Sequence, residues 1–196
     1  MSAQIPSSAL TIGIDIGGTK VLGGVVNSAG KIIDSSRRAT PAAGGLELIA
    51  TVIDLVKEFQ QKHEVAGVGI SVAALISSDQ GTIVGAPNIA NLSELNFVNE
   101  IKKEINLPVI AENDANAAMW AEYKFGNAKD LNPVIFFIIG TGMGGGLVID
   151  GKLFRGAHGI GAEFGHMIVQ PQGLKCGCGA QAVSYTHLTL PTKRIV

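Results

Sequence analysis

The stretch Leu10-Thr11-Ile12-Gly13-Ile14-Asp15-Ile16-Gly17-Gly18-Thr19-Lys20, running on into Val21-Leu22-Gly23-Gly24-Val25-Val26, decides the fold. It reads as an apolar β-rich strand ending at a carboxylate, a glycine turn, and a second strand. Gly-Gly also suits a plain hairpin reversal, but a reversal has no need of Asp15 at the strand end. A turn of this kind aims backbone N–H groups, a hydroxyl and an ammonium at phosphate oxygens, with Asp15 placed to hold a magnesium ion through water. Working outward, residues 31–37 give a third strand after Ala29-Gly30. Between residues 45 and 62 the apolar side chains Leu46, Ile49, Val52, Ile53, Val56 and Phe59 recur at helical spacing, leaving Glu58, Gln60 and Gln61 for solvent. Residues 65–74 then read as a buried strand, 95–105 as a second amphipathic helix and 108–111 as a further strand. Strands alternating with helices predict an α/β layer architecture with a partly parallel sheet. Residues 115–125 are alanine-rich and helical in pattern. Residues 134–139 and 145–149 make a second strand pair around a glycine loop, as though the opening strand-turn-strand were repeated, so two similar lobes facing across a cleft are expected.

Four further motifs carry candidate chemistry. The glycine loop Gly140-Thr141-Gly142-Met143-Gly144-Gly145-Gly146 satisfies a dinucleotide pattern formally, but residues 146–151 alternate like a strand and turn at Asp150-Gly151, where a dinucleotide fold requires a helix. A phosphate-binding hairpin fits better, because absent side chains let backbone amides approach an anion. Glu112-Asn113-Asp114-Ala115-Asn116 lies where a strand ends and a helix starts, the place where ligands meet open α/β sheets. Asp and Asn there also suit a helix N-cap. Two amides flanking a carboxylate nevertheless suit sugar hydroxyls, and Asp114 is then the proton acceptor. Ala162-Glu163-Phe164-Gly165-His166 adds a carboxylate and an imidazole. Ten positions on, Cys176-Gly177-Cys178-Gly179 completes a His-Cys-Cys set suited to part of a tetrahedral zinc site; free cysteines in a glycine turn are the other reading.

The composition is that of an ordinary globular protein: 196 residues, 46% hydrophobic and a formal charge of -1, which excludes disordered and collagenous classes. Near-neutral, scattered charge gives no electrostatic footprint for nucleic acid or an anionic membrane. Residues 1–8 lack the basic start and apolar run of a secretory signal, and residues 134–139 fall far short of the roughly 20 residues that span a bilayer as a helix. A cytoplasmic location is expected, where a reducing environment favours a metal role over a disulfide for the two cysteines.

In order, DIGGTK, APN, ENDANAA, GTGMGGG, GAEFGH and CGCG resemble the ROK family of sugar kinases and related repressors, across about residues 10–181. The resemblance implies the actin-like ATPase (ribonuclease H-like) fold, with sugar at the base of an interlobe cleft and ATP above it. Asp15, Gly17, Gly18, Thr19 and Lys20 match the family's first phosphate element, and Gly140, Thr141, Gly142, Gly144 and Gly145 fall in its second. Asn88, Asn113, Asp114, Glu163 and His166 match sugar contacts, Asp114 the catalytic base, and His166, Cys176 and Cys178 zinc ligands. ATP, Mg2+ and a structural Zn2+ are the implied cofactors. Residues 112–126 look most like bacterial glucokinases, making glucose the expected acceptor, with fructose, mannose, allose or an N-acetylated hexosamine as alternatives and polyphosphate as an alternative donor. A homodimer is the expected assembly.

The family pattern continues with a further cysteine and a glutamate, whereas Val183 occupies the cysteine's place here. From about Ala182 the sequence departs from the family, and residues 185–194 look like a translated cloning adapter. The expected organisation is therefore an N-terminal lobe (1–112), an incomplete second lobe (113–181) and a non-family tail (182–196), with activity of this chain itself in question. Two other functional classes fit the resemblance: a sugar-responsive repressor, for which about ten residues before Leu10 hold no helix-turn-helix, and a catalytically silent sugar-binding domain.

Overall fold

The computed structural model describes residues 9–79, 81–140, 142–169, 172 and 175. Expectations that fall on Thr141, Cys176, Cys178 and residues 182–196 lie outside the described residues. The chain opens with an antiparallel meander, β1 (Leu10–Ile16), β2 (Lys20–Val26) and β3 (Ile32–Ala39), followed by α1 (Gly45–Gln60) and β4 (Val65–Val72). A small hairpin, β5 (Leu75–Ile76) and β6 (Ile83–Gly85), leads to α2 (Phe97–Lys102) and β7 (Val109–Asn113). The five-stranded sheet runs β3-β2-β1-β4-β7, with β1, β4 and β7 mutually parallel.

Alternation along these strands sorts the two faces. Ile12, Ile14 and Ile16 of β1, Val68, Ile70 and Val72 of β4 and Val109 and Ala111 of β7 are buried in one core, with Leu48, Val52, Val56 and Phe59 of α1 and Phe97 and Ile101 of α2. The opposite face carries Asp15 in register with Leu22 on β2 and Ser71 on β4, and Ser71 with Glu112 on β7. That row of polar side chains sits at the carboxyl ends of three parallel strands, where open α/β sheets meet ligands. A trough of about 410 Å3 on this face is lined mainly by apolar side chains, among them Leu22, Ile32, Ile110 and Trp120, with Asp15, Ser71 and Glu112 beside them; Asp114, Glu163 and His166 do not line it.

α2 is shorter than the expected 95–105. The Asn96 side chain accepts from Asn99 N and starts the helix there, while the Leu95 carbonyl is taken by the amide of Ile83 on β6 at 3.0 Å. β5 and β6 themselves, only two and three residues long, carry too little periodicity to be read from sequence.

The second lobe comprises α3 (Asp114–Phe125), β8 (Val134–Ile139), β9 (Met143–Ile149), β10 (Lys152–Leu153) and a 3-10 turn at Phe164–His166. Its sheet runs β10-β9-β8, antiparallel throughout, so the opening strand-turn-strand is repeated as expected, and β10 extends it to a three-stranded meander that was not foreseen. β9 starts at Met143, two residues before the strand expected from sequence. The reason is packing: a Cβ on Gly144 would lie 2.8 Å from Ala115 Cβ, and one on Gly146 2.5 Å from Met119 Cβ. These glycines let α3 approach the sheet, so the strand takes in Gly144 to Gly146 and leaves Gly140 and Gly142 outside it.

β8 is apolar on both faces, the character of a central strand. Among the described residues, however, none pairs with its outer edge as β4 pairs with β1. Ile135 (58% exposed) and Phe137 (50% exposed) stand open beside that edge, a template for pairing with a second chain. Ile135→Lys is expected to suppress self-association of this chain, read by light scattering at matched concentration. Equal scattering from both proteins would show that β8 is not the adhesive edge.

Candidate functional site

Three segments converge on the cleft. The first is the turn after β1, closed by Gly17 N donating to the Lys20 carbonyl at 2.9 Å. Thr40 pins it from outside, its Oγ1 donating to the Gly17 carbonyl at 2.7 Å and its amide to the Thr19 carbonyl at 3.2 Å. Gly18, Thr19 and Lys20 are left exposed, a hydroxyl and an ammonium beside backbone amides, which is a donor set that fits phosphate. The turn lies against the segment carrying Asn88: a Cβ on Gly18 would come within 3.0 Å of the Asn88 carbonyl oxygen. Asp15, one strand-end earlier, accepts from Ser71 Oγ at 3.0 Å, which fixes an exposed carboxylate where it can face a hydrated cation.

The second segment is the β7–α3 junction. Asn113 is the helix N-cap, its Oδ1 accepting from Asn116 N at 3.1 Å. Its Nδ2 donates to the Ala74 carbonyl at 3.2 Å and to Asp114 Oδ1 at 3.1 Å. The capping alternative is thus realised at Asn113, and the same bonds aim Asp114, whose Oδ1 also accepts from Ala115 N at 2.9 Å. Asn116 is buried (2% exposed); its Nδ2 donates to Glu112 Oε1 at 3.1 Å, and its Oδ1 has no hydrogen-bond partner among the described residues.

The third segment is the 3-10 turn with Glu163 before it and His166 at its end. It is seated by β9: a Cβ on Gly165 would collide with the Met143 carbonyl oxygen, and one on Gly145 with Phe164 and the Ala162 carbonyl. The Phe137 and Phe164 rings add a tilted contact at 5.2 Å between centroids.

Electrostatics tie the segments together. Burial pushes the Asp114 carboxyl above its ordinary range, and the neighbouring charge of Asp15 pushes it further, against the bonds from Ala115 and Asn113. Burial likewise raises Glu163; His166 opposes this, and the charge of Asp114 adds to it. Asp15 and Asp114, expected from sequence to share a crevice with the Gly140–Gly146 bend, are within charge–charge reach of one another, and Asp114 and His166 are within reach of Glu163. Raised carboxyl groups in a cleft are suited to accepting a proton.

Not every expected contact is gathered. Gly140 and Gly142 sit at the tip of the β8–β9 hairpin with open space around them, while Gly144 and Gly145 lie inside β9 and serve packing. Among the described residues no group of three or more His, Cys, Asp or Glu side chains is arranged to hold a metal ion. Two partners were not foreseen, Ser71 and Thr40. Ser71 was detectable as the lone hydroxyl within an apolar strand, whereas Thr40 carries no sequence signal, since its role depends on β3 returning past the turn.

Two α/β lobes with a repeated strand meander, glycine turns and an acidic cleft between them define a protein of the actin-like ATPase fold. The ROK family pattern matches residues 11–186. The chain belongs to the ROK family. It is 43% identical to a glucokinase of Streptomyces coelicolor over 172 residues, 88% of this chain and 54% of that protein. It is 33% identical to an N-acetylmannosamine kinase of Yersinia pseudotuberculosis over 168 residues, 86% of this chain and 57% of that one. Among solved structures, a ROK family glucokinase from Streptomyces griseus in complex with glucose and AMPPNP superposes with a TM-score of 0.82 at 40% identity, over 92% of this chain and 57% of that one. The chain spans about half the length of the relatives it matches. No helix among the described residues is long and apolar enough to cross a membrane.

Proposed function

We propose that the chain is the N-terminal part of a cytoplasmic ATP-dependent sugar kinase, with lobes at residues 1–112 and 113–181, that transfers the γ-phosphoryl group of MgATP to the 6-hydroxyl of glucose. The observation that carries this reading is the pair of strand ends: the Asn113 cap and the Ala115 amide aim Asp114 at the β7–α3 junction, and Ser71 holds Asp15 at the root of an exposed phosphate-type turn. Burial, with the charge of Asp15, raises the Asp114 carboxyl in the direction a proton acceptor needs. The similarity to glucokinases supports glucose as acceptor, and the similarity to an N-acetylmannosamine kinase keeps an N-acetylated hexosamine as the alternative.

Asn88, Asn113, Glu163 and His166 would hold the sugar hydroxyls, and Asp114 would take the proton from the 6-hydroxyl as its oxygen bonds to the γ-phosphorus and the bond from that phosphorus to the departing ADP breaks. The turn at 17–20 and the Gly140–Gly142 turn would hold the donor's phosphates, with Asp15 orienting its Mg2+ through water. Phosphoryl transfer depends mainly on positioning and charge stabilisation, so Lys20 and the two turns carry the larger share. A structural zinc on His166, Cys176 and Cys178 would order the loop bearing Glu163, and the working assembly would be a homodimer. The test is 31P NMR of the full-length protein with MgATP and glucose, mannose, fructose or N-acetylmannosamine. Phosphate appearing on C6 of glucose is the expected result; transfer to none of these sugars overturns the reading.

A further inference from the structure

Arg155 belongs to no motif that sequence singled out, yet it joins the two halves of the cleft. Its Nε donates to Glu112 Oε2 at 2.7 Å, with side-chain exposures of 35% and 14%. The short contact and limited exposure set it apart from surface pairs, which contribute little. On the first-lobe side, Glu112 Oε1 accepts from Asn113 N and Asn116 Nδ2, both at 3.1 Å, so the carboxylate grips the residues on either side of Asp114. On the second-lobe side, the Arg155 carbonyl accepts from Gly161 N at 2.8 Å, closing a loop two residues before Glu163. The same loop touches the first lobe again at Gly159. That residue, at φ 88°, lies so close to β5 that a Cβ would sit 2.7 Å from the Ser77 carbonyl carbon.

We propose that Arg155 and Glu112 form an interlobe clasp: Arg155 is a positioning residue that sets the loop carrying Glu163 and His166 against the junction carrying Asn113 and Asp114. The proposal rests on the sugar-site reading above. Arginine suits the task because its rigid planar fork fixes direction as well as charge, which a lysine ammonium does not.

The test uses the full-length protein. Glucose affinity is measured by calorimetry, and amide hydrogen exchange is followed over residues 154–163 and over β1 and β4. Arg155→Met is expected to weaken glucose binding by roughly tenfold or more, the size of coupling expected between contacting charged groups, and to speed exchange in the loop while β1 and β4 keep their protection. Arg155→Lys should recover part of both effects, and Glu112→Gln with Arg155→Met should be no worse than either alone. Loop exchange and affinity unchanged in Arg155→Met overturn the clasp. A full-length wild-type protein that binds no glucose counts against the sugar site, and the exchange measurements then decide the clasp by themselves: faster loop exchange supports it and unchanged exchange overturns it.

Discussion

Asp114→Asn is expected to cut turnover of the full-length kinase by about 10²–10⁴-fold, the contribution typical of a positioned general base, while glucose affinity stays near its original value. The asymmetry follows from the geometry. An asparagine Oδ1 still accepts from Ala115 N and from Asn113 Nδ2, the bonds that hold the side chain in place, but it cannot take a proton. The same substitution is expected to make the protein more stable at neutral pH. Burial first and the Asp15 charge second raise the Asp114 carboxyl above the ordinary 3.8. Through the window from 3.8 up to the raised value the native state binds more protons than the unfolded chain, so stability falls as pH rises. Above that window the native protein carries the full cost of a charged carboxylate beside Asp15, and the amide removes it. The gain should be no more than about 2–4 °C in melting temperature, what ~1 kcal/mol gives in a domain of this size, since solvent reaches the carboxylate. It should shrink as pH falls through that window and vanish well below 3.8, where the carboxyl is neutral in both the native and the unfolded state. A coupled ADP assay, calorimetry with glucose and melting curves across pH read the three effects. Turnover near normal would remove Asp114 from the chemistry; a variant less stable at neutral pH than at acid pH, relative to the parent, would contradict the burial argument.

Much of this site was legible because its chemistry is written in local order. Asp15 before Gly17-Gly18-Thr19-Lys20 can be read within one turn, and Asn113-Asp114 at the β7–α3 junction requires only the switch from strand to helix periodicity. What could not be read was whatever long-range pairing decides. Ser71 and Asp15 are neighbours only because β4 joins β1 in parallel at that register, and Thr40 reaches the turn only because β3 runs back along β2. Arg155 and Glu112, 43 positions apart, meet across two lobes. The glycine run after β8 shows a different limit, since glycine serves equally to admit an anion or a helix. Only the packed structure separates Gly140 and Gly142, in open space, from Gly144 and Gly146, pressed against α3.

Gly165→Ala tests the mechanical half of the site, and a single methyl group is expected to lower glucose affinity by about 100-fold or more. Gly165 is buried in the 3-10 turn, and the added Cβ would run into the carbonyl oxygen of Met143. That oxygen belongs to the backbone at the start of β9, so it cannot swing aside as a side chain would. Further along the same strand there is no relief, because β9's Gly145 already lies against Phe164 and the Ala162 carbonyl. The turn must therefore lift from the sheet, carrying Glu163 and His166 with it, and losing the hydrogen bonds of both side chains to sugar hydroxyls, at roughly 1–3 kcal/mol each, is enough to cost a factor of order 10². The first-lobe core shares no residue with this turn, so the overpacking cost of roughly 1–3 kcal/mol should appear as faster hydrogen exchange in the second lobe, with β1 and β4 unaffected. Gly13→Ala is the matched control, since a Cβ there meets no atom within 4 Å. Wild-type affinity in Gly165→Ala would mean that the 3-10 turn does not hold the sugar-facing side chains, and the substrate would then have to be held by the first lobe and the β7–α3 junction without it.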